Sequence, residues 1–176
     1  MSDGCLKRIS ERQSIRRYSD DLLLDSDIEE ILNAGFSAPS AGNRQPWRVV
    51  LVKRQELKEQ LATAAGGQTF LAQAPIVFVV CAVPQESAER YGDRGRELYA
   101  IQDTAALVEN VLLAAHLLGF GTCWIGAFNE KQVMRLLNIP RAMRPIAIIP
   151  VGKAMGKAQP KPARRAMREV IIHESF

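Results

Sequence analysis

The fold is decided by the stretch Ser37-Ala38-Pro39-Ser40-Ala41-Gly42-Asn43-Arg44-Gln45-Pro46-Trp47, which links a helical pattern to an apolar strand pattern at 49–52. It is longer than the usual connection of about four to six residues. Two prolines stiffen its backbone, and the glycine between them frees it. Its polar side chains and flat tryptophan suit a rigid rim around a planar ligand with polar edges. We call residues 37–47 the rim; an ordinary helix-to-strand loop is the alternative that its residues leave open.

Length, composition and charge limit the classes of protein to consider. The 176 residues suffice for a single domain, 1–176, with a substantial core, and the net charge of +4 decides nothing about an anionic partner. The scattered Cys5, Cys81 and Cys123 indicate free thiols in a reducing compartment. The longest charge-free apolar run is too short to span a bilayer, and the N-terminus lacks the apolar core of a signal peptide. We therefore expect a cytoplasmic protein without a membrane segment.

A second motif is the basic segment Arg12-Gln13-Ser14-Ile15-Arg16-Arg17-Tyr18, which we call the strap. The planar guanidinium of arginine matches phosphate oxygens and stays charged at any relevant pH. The strap therefore suits an anion, and a solvated basic turn is the alternative.

Apolar periodicity predicts an α+β fold with a central mixed or antiparallel β-sheet flanked by helices. A capping box that starts at Ser26 opens a helix with a core face that includes Ile28, Ile31 and Gly35. Strands are predicted at 48–53, 75–83, 122–125 and 144–152, and a long buried helix at 97–118. The polar segment 84–96 is interpreted as a mobile surface loop or lid, the kind of segment in which substrate selection usually resides.

The C-terminal arm, residues 153–176, differs in composition from the rest of the chain. Its first part is basic without one acidic residue, and the strand pattern Val170-Ile171-Ile172 follows. A terminal strand after an extended arm must pair with something. The basic residues of the arm are Lys153, Lys157, Lys161, Arg164, Arg165 and Arg168.

A third motif, Gly119-Phe120-Gly121-Thr122-Cys123-Trp124-Ile125-Gly126, turns the long helix into a strand. Its glycines allow the backbone to approach a ligand closely. The strap, the rim and this motif occur in the order and with the spacing of the FMN-dependent nitroreductase family, which the chain closely resembles over nearly its whole length. The three motifs together are specific, whereas each alone is weak.

The resemblance implies a set of FMN-binding positions. In the strap, Arg12 and Ser14 would lie toward the phosphate and ribityl chain and Arg16 toward the N1–C2=O edge. Main-chain N–H groups of Gly126 and Ala127 would meet N5 and O4. The full set is Arg12, Gln13, Ser14, Arg16, Pro39, Ser40, Ala41, Asn43, Gln45, Gln68, Ile125, Gly126, Ala127 and Arg165, with Arg164 as the alternative register for the last position. Gln13 and Ala41 depart from residues that relatives often carry, which implies a lower affinity for FMN.

The resemblance also implies the activity and the assembly. A homodimer, with each arm wrapped around its partner, would hold FMN at the subunit interface and pass two electrons from NADH or NADPH to a small acceptor such as a nitroaromatic or quinone. Because the cofactor carries the hydride chemistry, no catalytic side chain is assigned. No metal site is predicted, since His116 is isolated and is expected to be a core or edge residue.

Three alternatives stay open. One is another flavin enzyme on the same scaffold, such as a dehalogenase, an enone reductase or a flavin-modifying oxygenase. The second is a non-catalytic flavin carrier. The third is a nucleic-acid-binding module that uses the basic arm, although the arm lacks interleaved aromatic residues and we expect no nucleic-acid partner.

Overall fold

The computed structural model describes residues 3–156 and 160–176, so that Lys157 of the basic arm lies outside the described residues. Its strands form one antiparallel sheet in the order β1-β2-β4-β3. Helices cover both faces of the sheet, so the predicted α+β fold is confirmed. The helices are α1 Asp3–Glu11, α2 Asp25–Phe36, α3 Gln55–Ala64, α4 Phe70–Gln73, α5 Pro84–Arg94, α6 Ala100–Leu117 and α7 Glu130–Leu136. The strands are β1 Trp47–Val52, β2 Ile76–Ala82, β3 Gly121–Thr122 and β4 Arg144–Gly152.

Strand β2 is the centre of the sheet. Every one of its residues is buried, because it pairs with β1 on one side and β4 on the other and has helices over both faces. Alternate side chains of a strand point to opposite faces. Phe78 and its same-face neighbours pack toward α2 and α6, whereas Val77 and Val79 pack toward α3 and α7. This double coverage explains the continuous apolar run in the sequence.

Strand β4 accommodates a proline next to the sheet edge. Pro150 pairs with Val77 of β2, and its carbonyl oxygen accepts from the Tyr18 hydroxyl at 3.4 Å. Strand β3 pairs with Val151 and Gly152 of β4, and its Thr122 also forms an isolated parallel bridge to Ser14. The strand predicted at 122–125 is thus shorter than expected, and Ile125 forms only an isolated bridge to Ile148.

The long helix predicted at 97–118 is present with a changed first turn. Residues Gly95–Tyr99 form a π-helical turn that runs into α6. Helix α6 packs along α2, where Gly35 leaves room for Val111. The Asn110 side-chain amide donates to the Ala34 carbonyl oxygen at 3.1 Å.

Two expectations from the sequence were wrong. Residues 84–96 form a helix and the start of the π-helical turn, not a loop, because Pro84 opens the helix and Ala88 is buried beneath it. Helix α2 begins before Ser26, and the Asp27 carboxylate accepts from the Leu24 N–H at 3.1 Å. Val170–Ile172 is exposed and pairs with no strand of its own chain in the described residues, after a 3-10 turn at Met167–Glu169. The expectation that it pairs with a partner subunit stays a prediction.

The arm is exposed from residue 160 onward in the described structure. Its apolar side chains include Met167, 72% exposed, and Ile172, 51% exposed. Of the helices in the described ranges, none has the length and apolarity needed to cross a membrane.

Candidate functional site

The strap is fixed by its backbone. The N–H of Ile15 donates to the Thr122 carbonyl oxygen at 2.8 Å. Arg17 offers its carbonyl oxygen to the N–H of Met155 at 3.0 Å. Because backbone groups of β3 and of the segment that follows β4 supply these partners, the strap is held without its arginine side chains, and Arg16 and Arg17 are exposed.

Close packing under the strap leaves no room for extra atoms. A methyl group on Gly121 would lie 2.7–2.8 Å from three side-chain carbons of Ile15. Tyr18 is 2% exposed, and its hydroxyl donates to the Ile15 carbonyl oxygen at 2.6 Å. Burial raises the pKa of the Tyr18 hydroxyl well above its usual range, so it stays protonated and acts as a donor. The strap is therefore a rigid part of the sheet edge.

The strap forms one wall of a cavity of about 530 Å³. The motif after α6, the segment 154–156 that follows β4, and residues of α1 and α6 form the other walls. Three of the lining side chains are arginines, and among the described residues none of the three is within ion-pair distance of a carboxylate. The predicted cofactor residues among the lining are Gln13, Ser14 and Arg16. The other lining residues are Arg8, Glu11, Ile15, Arg17, His116, Gly119, Phe120, Gly121, Thr122, Ala154, Met155 and Gly156.

Arg12 lies beside this cavity rather than on its wall. Its Nε atom is 3.9 Å from the Glu109 carboxylate on α6, and its side chain is 18% exposed. A phosphate group at Arg12 would have to share it with Glu109 or displace that carboxylate.

His116 is a cavity residue that sequence reasoning placed in the core or at its edge. Its Nε2 atom is buried and has no hydrogen-bond partner among the described residues. Burial and the positive charge of Arg8 lower the pKa of the imidazole. An unpaired buried donor or acceptor is costly, so this atom, together with the unpaired arginines, fits a cavity that receives a polar ligand. The donor set matches the phosphate and polar edge of FMN.

The rim is strained where it bends. Gly42, Asn43 and Gln45 adopt positive φ angles of 55°, 55° and 50°. Asparagine tolerates this region better than glutamine does. For non-glycine residues such as Asn43 and Gln45, strain of this kind costs on the order of 1–3 kcal/mol per residue and is concentrated at functional sites.

Side chains hold the rim in this shape. The Ala41 N–H donates to Asp103 Oδ1 at 3.1 Å, and the Gln45 N–H donates to Ser40 Oγ at 3.0 Å. Arg44 Nε donates to the Glu86 carbonyl oxygen at 2.8 Å, which joins the rim to α5. The rim is therefore attached to α5 and α6.

Asp103 is a buried acid that the sequence did not single out. It lies on the apolar face of α6, and its Oδ2 atom has no partner among the described residues. Burial raises the pKa of the Asp103 carboxyl, and the Ala41 N–H partly opposes this effect. The signal that was missed is an acid in register with the buried Ala100 and Leu107.

Trp47 does not provide a surface for a ligand. It is 6% exposed and packs in the core beside Ile31 and Phe78. The expectation that its flat face belongs to the rim's binding surface was wrong, because Trp47 is the first residue of β1 and points into the core.

The remaining predicted residues lie apart from the cavity. Gly126 and Ala127 are exposed, whereas Ile125 is buried against Ile148. The Gln68 side-chain amide donates to the Ala65 carbonyl oxygen at 2.8 Å, close to where Asn129 donates to Ala64. Gln68 and the 125–129 segment are thus both attached to the end of α3.

Two groups of predicted residues are not among the residues that line the cavity. The rim residues Pro39, Ser40, Ala41, Asn43 and Gln45 are absent from the cavity wall. Arg164 and Arg165 lie on the exposed arm. The described part of the chain contains no cluster of three or more residues able to hold a metal ion, and burial raises the pKa of the free thiols Cys81 and Cys123.

Comparison with known proteins supports the same family. The Nitroreductase family model matches residues 9–69 and 63–153. A protein of Archaeoglobus fulgidus, whose name joins NADH dehydrogenase with NAD(P)H nitroreductase, is 39% identical over 154 residues, which cover 85% of each chain. The Bacillus subtilis protein named FMN reductase [NAD(P)H] is 29% identical over 96% of this chain and 72% of its own.

The solved structures agree. NfrA2 from B. megaterium superimposes with a TM-score of 0.89 at 28% identity, covering 98% of this chain and 74% of that protein. Fold, motifs and comparisons define a flavoprotein of the nitroreductase class. The chain belongs to the nitroreductase family, as the three motifs predicted.

Proposed function

We propose that the chain passes two electrons from NADH or NADPH, through bound FMN, to a small organic acceptor such as a nitroaromatic or a quinone. The general class of activity is established: the chain is an NAD(P)H-dependent oxidoreductase with FMN as its cofactor. The acceptor is the proposed part, because the names of relatives differ in it and include both flavin reductases and nitroreductases.

One observation carries the proposal: the strap offers unpaired cationic side chains to a cavity while its backbone is fixed. Arg16 and Ser14 stand on the cavity wall, and Arg8 and Arg17 add positive charge. Charge-assisted hydrogen bonds from such groups are the strong ones in proteins. This wall therefore suits the dianionic phosphate and the polar ring edge of FMN.

The residues have distinct roles in this proposal. When bound, FMN supplies the hydride chemistry. Ser14 and Arg12 hold its phosphate and ribityl chain, and Arg16 faces the N1–C2=O edge, where negative charge develops on reduction. The exposed Gly126 and Ala127 offer main-chain N–H groups to the opposite edge. The proton comes from water or from a group of the acceptor site.

We further propose that the site is completed by a second copy of the chain. Rim and strap do not share the cavity within one chain, and the arm exposes apolar side chains that a partner would cover. A symmetric dimer would contain two equivalent sites, each with a strap from one subunit and a rim from the other. Each chain, residues 1–176, would then be one domain in a cytoplasmic homodimer.

Purification and kinetics test the proposal together. The purified protein should be yellow, and light scattering after size exclusion should show a dimer that retains FMN. Initial rates with NADH or NADPH against a quinone, a nitroaromatic and free FMN should give parallel double-reciprocal lines, because both substrates use the same face of one flavin in turn.

Several results would contradict it. A colourless protein that does not take up FMN would exclude the activity, and a flavin-loaded monomer would exclude the shared site. Lines that intersect would indicate a ternary complex with a second pocket. Truncation after Gly152 should weaken both dimerisation and FMN retention.

A further inference from the structure

Helix α5 folds back on itself beside the rim. Gly92 has a positive φ of 57°, which interrupts the helix, and the π-helical turn Gly95–Tyr99 packs against the preceding segment. A methyl group on Gly95 would lie 2.5 Å from the Ser87 carbonyl oxygen. The two halves of this hairpin therefore touch through their backbones, and the side chains that flank the contact are brought side by side.

Those side chains form a row of two arginines and two tyrosines. The rings of Tyr91 and Tyr99 meet edge to face, with centroids 5.2 Å apart. The Arg90 guanidinium lies 5.5 Å from the Tyr91 centroid, and that of Arg94 lies 5.4 Å from the Tyr99 centroid. Arg94 Nε also donates to the Tyr99 hydroxyl at 2.9 Å. We call Arg90, Tyr91, Arg94 and Tyr99 the arginine–tyrosine row.

The guanidinium groups of this row are oriented but not neutralised. Neither Arg90 nor Arg94 is within ion-pair distance of a carboxylate in the described ranges 3–156 and 160–176. The nearby acids Glu86 and Glu89 are already paired with Arg48 and Arg44. Stacking on a ring reduces the freedom of an arginine before it binds an anion.

The row lies next to the rim. A methyl group on Gly42 would meet the Tyr91 hydroxyl at 2.5 Å and the Arg90 Nη1 atom at 2.9 Å. A ligand whose reactive end reaches the flavin past the rim would therefore extend over these side chains. Exposed arginines on flat aromatic surfaces suit a phosphate attached to a purine nucleoside.

We propose that Arg90 and Arg94 bind the adenosine 2′-phosphate of NADPH and so make this phosphorylated donor the preferred one. This assignment rests on the proposed function, since it concerns the donor of the same reaction. Because NADH lacks that phosphate and is otherwise identical, the two arginines act on the choice between donors and not on FMN or the acceptor.

The test compares both donors in FMN-loaded Arg90→Gln, Arg94→Gln and the double variant, with Arg96→Gln as the matched control. Arg96 lies in the same segment but donates to Gln85 at 2.9 Å instead of stacking in the row. Turnover is measured with an uncharged quinone, so that an effect on an anionic acceptor cannot contribute. Calorimetry with NADP⁺ and NAD⁺ gives a second measurement that does not depend on turnover.

We expect the wild type to favour NADPH, and the double variant to lose roughly 10-fold or more in kcat/KM for NADPH and in NADP⁺ affinity. Values for NADH and NAD⁺ should stay unchanged, and Arg96→Gln should behave like the wild type. Equal binding of NADP⁺ and NAD⁺ by the FMN-loaded wild type would overturn this assignment and leave the proposed function standing. An equal loss in Arg96→Gln would also overturn it, because general charge would then explain the effect. A protein that binds no FMN would overturn the proposed function as well.

Discussion

The strap and the rim are both assigned to FMN, but they are held in opposite ways. Backbone hydrogen bonds to Thr122 and Met155 fix the strap, and in the described residues neither Arg16 nor Arg17 forms an ion pair. The rim is held by side chains of Asp103, Ser40 and Arg44, and its backbone carries the strain of positive φ angles.

The difference separates residues that would bind the cofactor from residues that fix the path of the backbone. A substitution of Arg16 would remove a proposed contact with the cofactor and leave the packing of Ile15 and Tyr18 intact. A substitution at the rim or at its supports changes the path of the backbone itself. Cofactor affinity and fold stability should therefore respond independently in the strap and together in the rim.

The largest effect is expected from a substitution that disturbs the packing beneath the strap. Gly121→Ala places a methyl group 2.7–2.8 Å from Ile15 side-chain atoms, and overpacking of this kind costs about 1–3 kcal/mol. Thermal or urea unfolding should show the loss, accompanied by weaker FMN binding.

A control and a rescue accompany this variant. A methyl group on Gly4 would meet nothing within 4 Å, so Gly4→Ala should not destabilise the protein. Adding Ile15→Ala to Gly121→Ala removes two of the three opposing atoms, Cγ1 and Cγ2, and leaves Cβ in place. The double variant should therefore be less destabilised than the sum of the two single effects. Strict additivity would show that the methyl group does not meet Ile15.

The second prediction concerns substitutions of two exposed arginines, Arg16 and Arg165, which should leave the fold unchanged. Arg16→Gln should lower the midpoint potential of bound FMN by about 30–60 mV, because a charge-assisted hydrogen bond of about 1.5–3 kcal/mol to the reduced form is lost. Arg165→Gln should raise the FMN dissociation constant roughly 10-fold with little change in potential, since phosphate charge is constant during turnover.

Redox titration and fluorescence titration measure these two quantities. The unfolding free energy of both variants, measured without FMN, should equal that of the wild type. Arg164→Gln distinguishes the alternative register of the arm. Equal potentials in Arg16→Gln and Arg165→Gln would mean that Arg16 does not face the N1 edge.

A smaller effect is expected at the support of the rim. Asp103→Ala removes the acceptor of the Ala41 N–H, a hydrogen bond with a net contribution of about 0.5–1.5 kcal/mol. Asp103→Asn keeps an acceptor oxygen and serves as the control. If the rim responds as a unit, Asp103→Ala should lower both the melting temperature and FMN affinity. A fall in stability alone would separate Asp103 from the rim.

The smallest effect concerns pH. Burial raises the pKa of Asp103 in the folded chain, so its ionisation disfavours folding. The contribution to stability is fully present below the unfolded pKa, near 3.9, and is lost as pH rises through the folded pKa. Asp103→Asn should therefore be more stable than the wild type at neutral pH, and the difference should vanish as pH falls toward 4. A difference independent of pH would show that Asp103 titrates normally.

The sequence predicted the parts of the fold that follow from continuous apolar runs. Strand β2 was predicted because helices on both faces require every residue to be apolar. Helix α5 was missed because its polar sequence resembles a loop, and the burial of Ser87 and Ala88 follows only from the tertiary structure.

For the site, three separated motifs predicted that the strap, the rim and the glycine segment 119–126 take part in binding. Apolar periodicity could not identify Asp103 and His116 as residues of the site, because the sequence does not show which group contacts a lone polar residue on an apolar helix face. Their roles depend on which backbone lies opposite, at Ala41 and at the cavity wall respectively.

The positive φ of Gln45 has a consequence for selection experiments. Glycine adopts this conformation without steric cost, so a library screened only for heat resistance should gain glycine at this position. The same library screened for turnover should retain glutamine if its side chain, whose Nε2 atom donates to Asn43 at 3.2 Å, is needed at the flavin. The two selections would thus favour different residues at this one position of the rim, which would reveal a trade-off between thermal stability and activity.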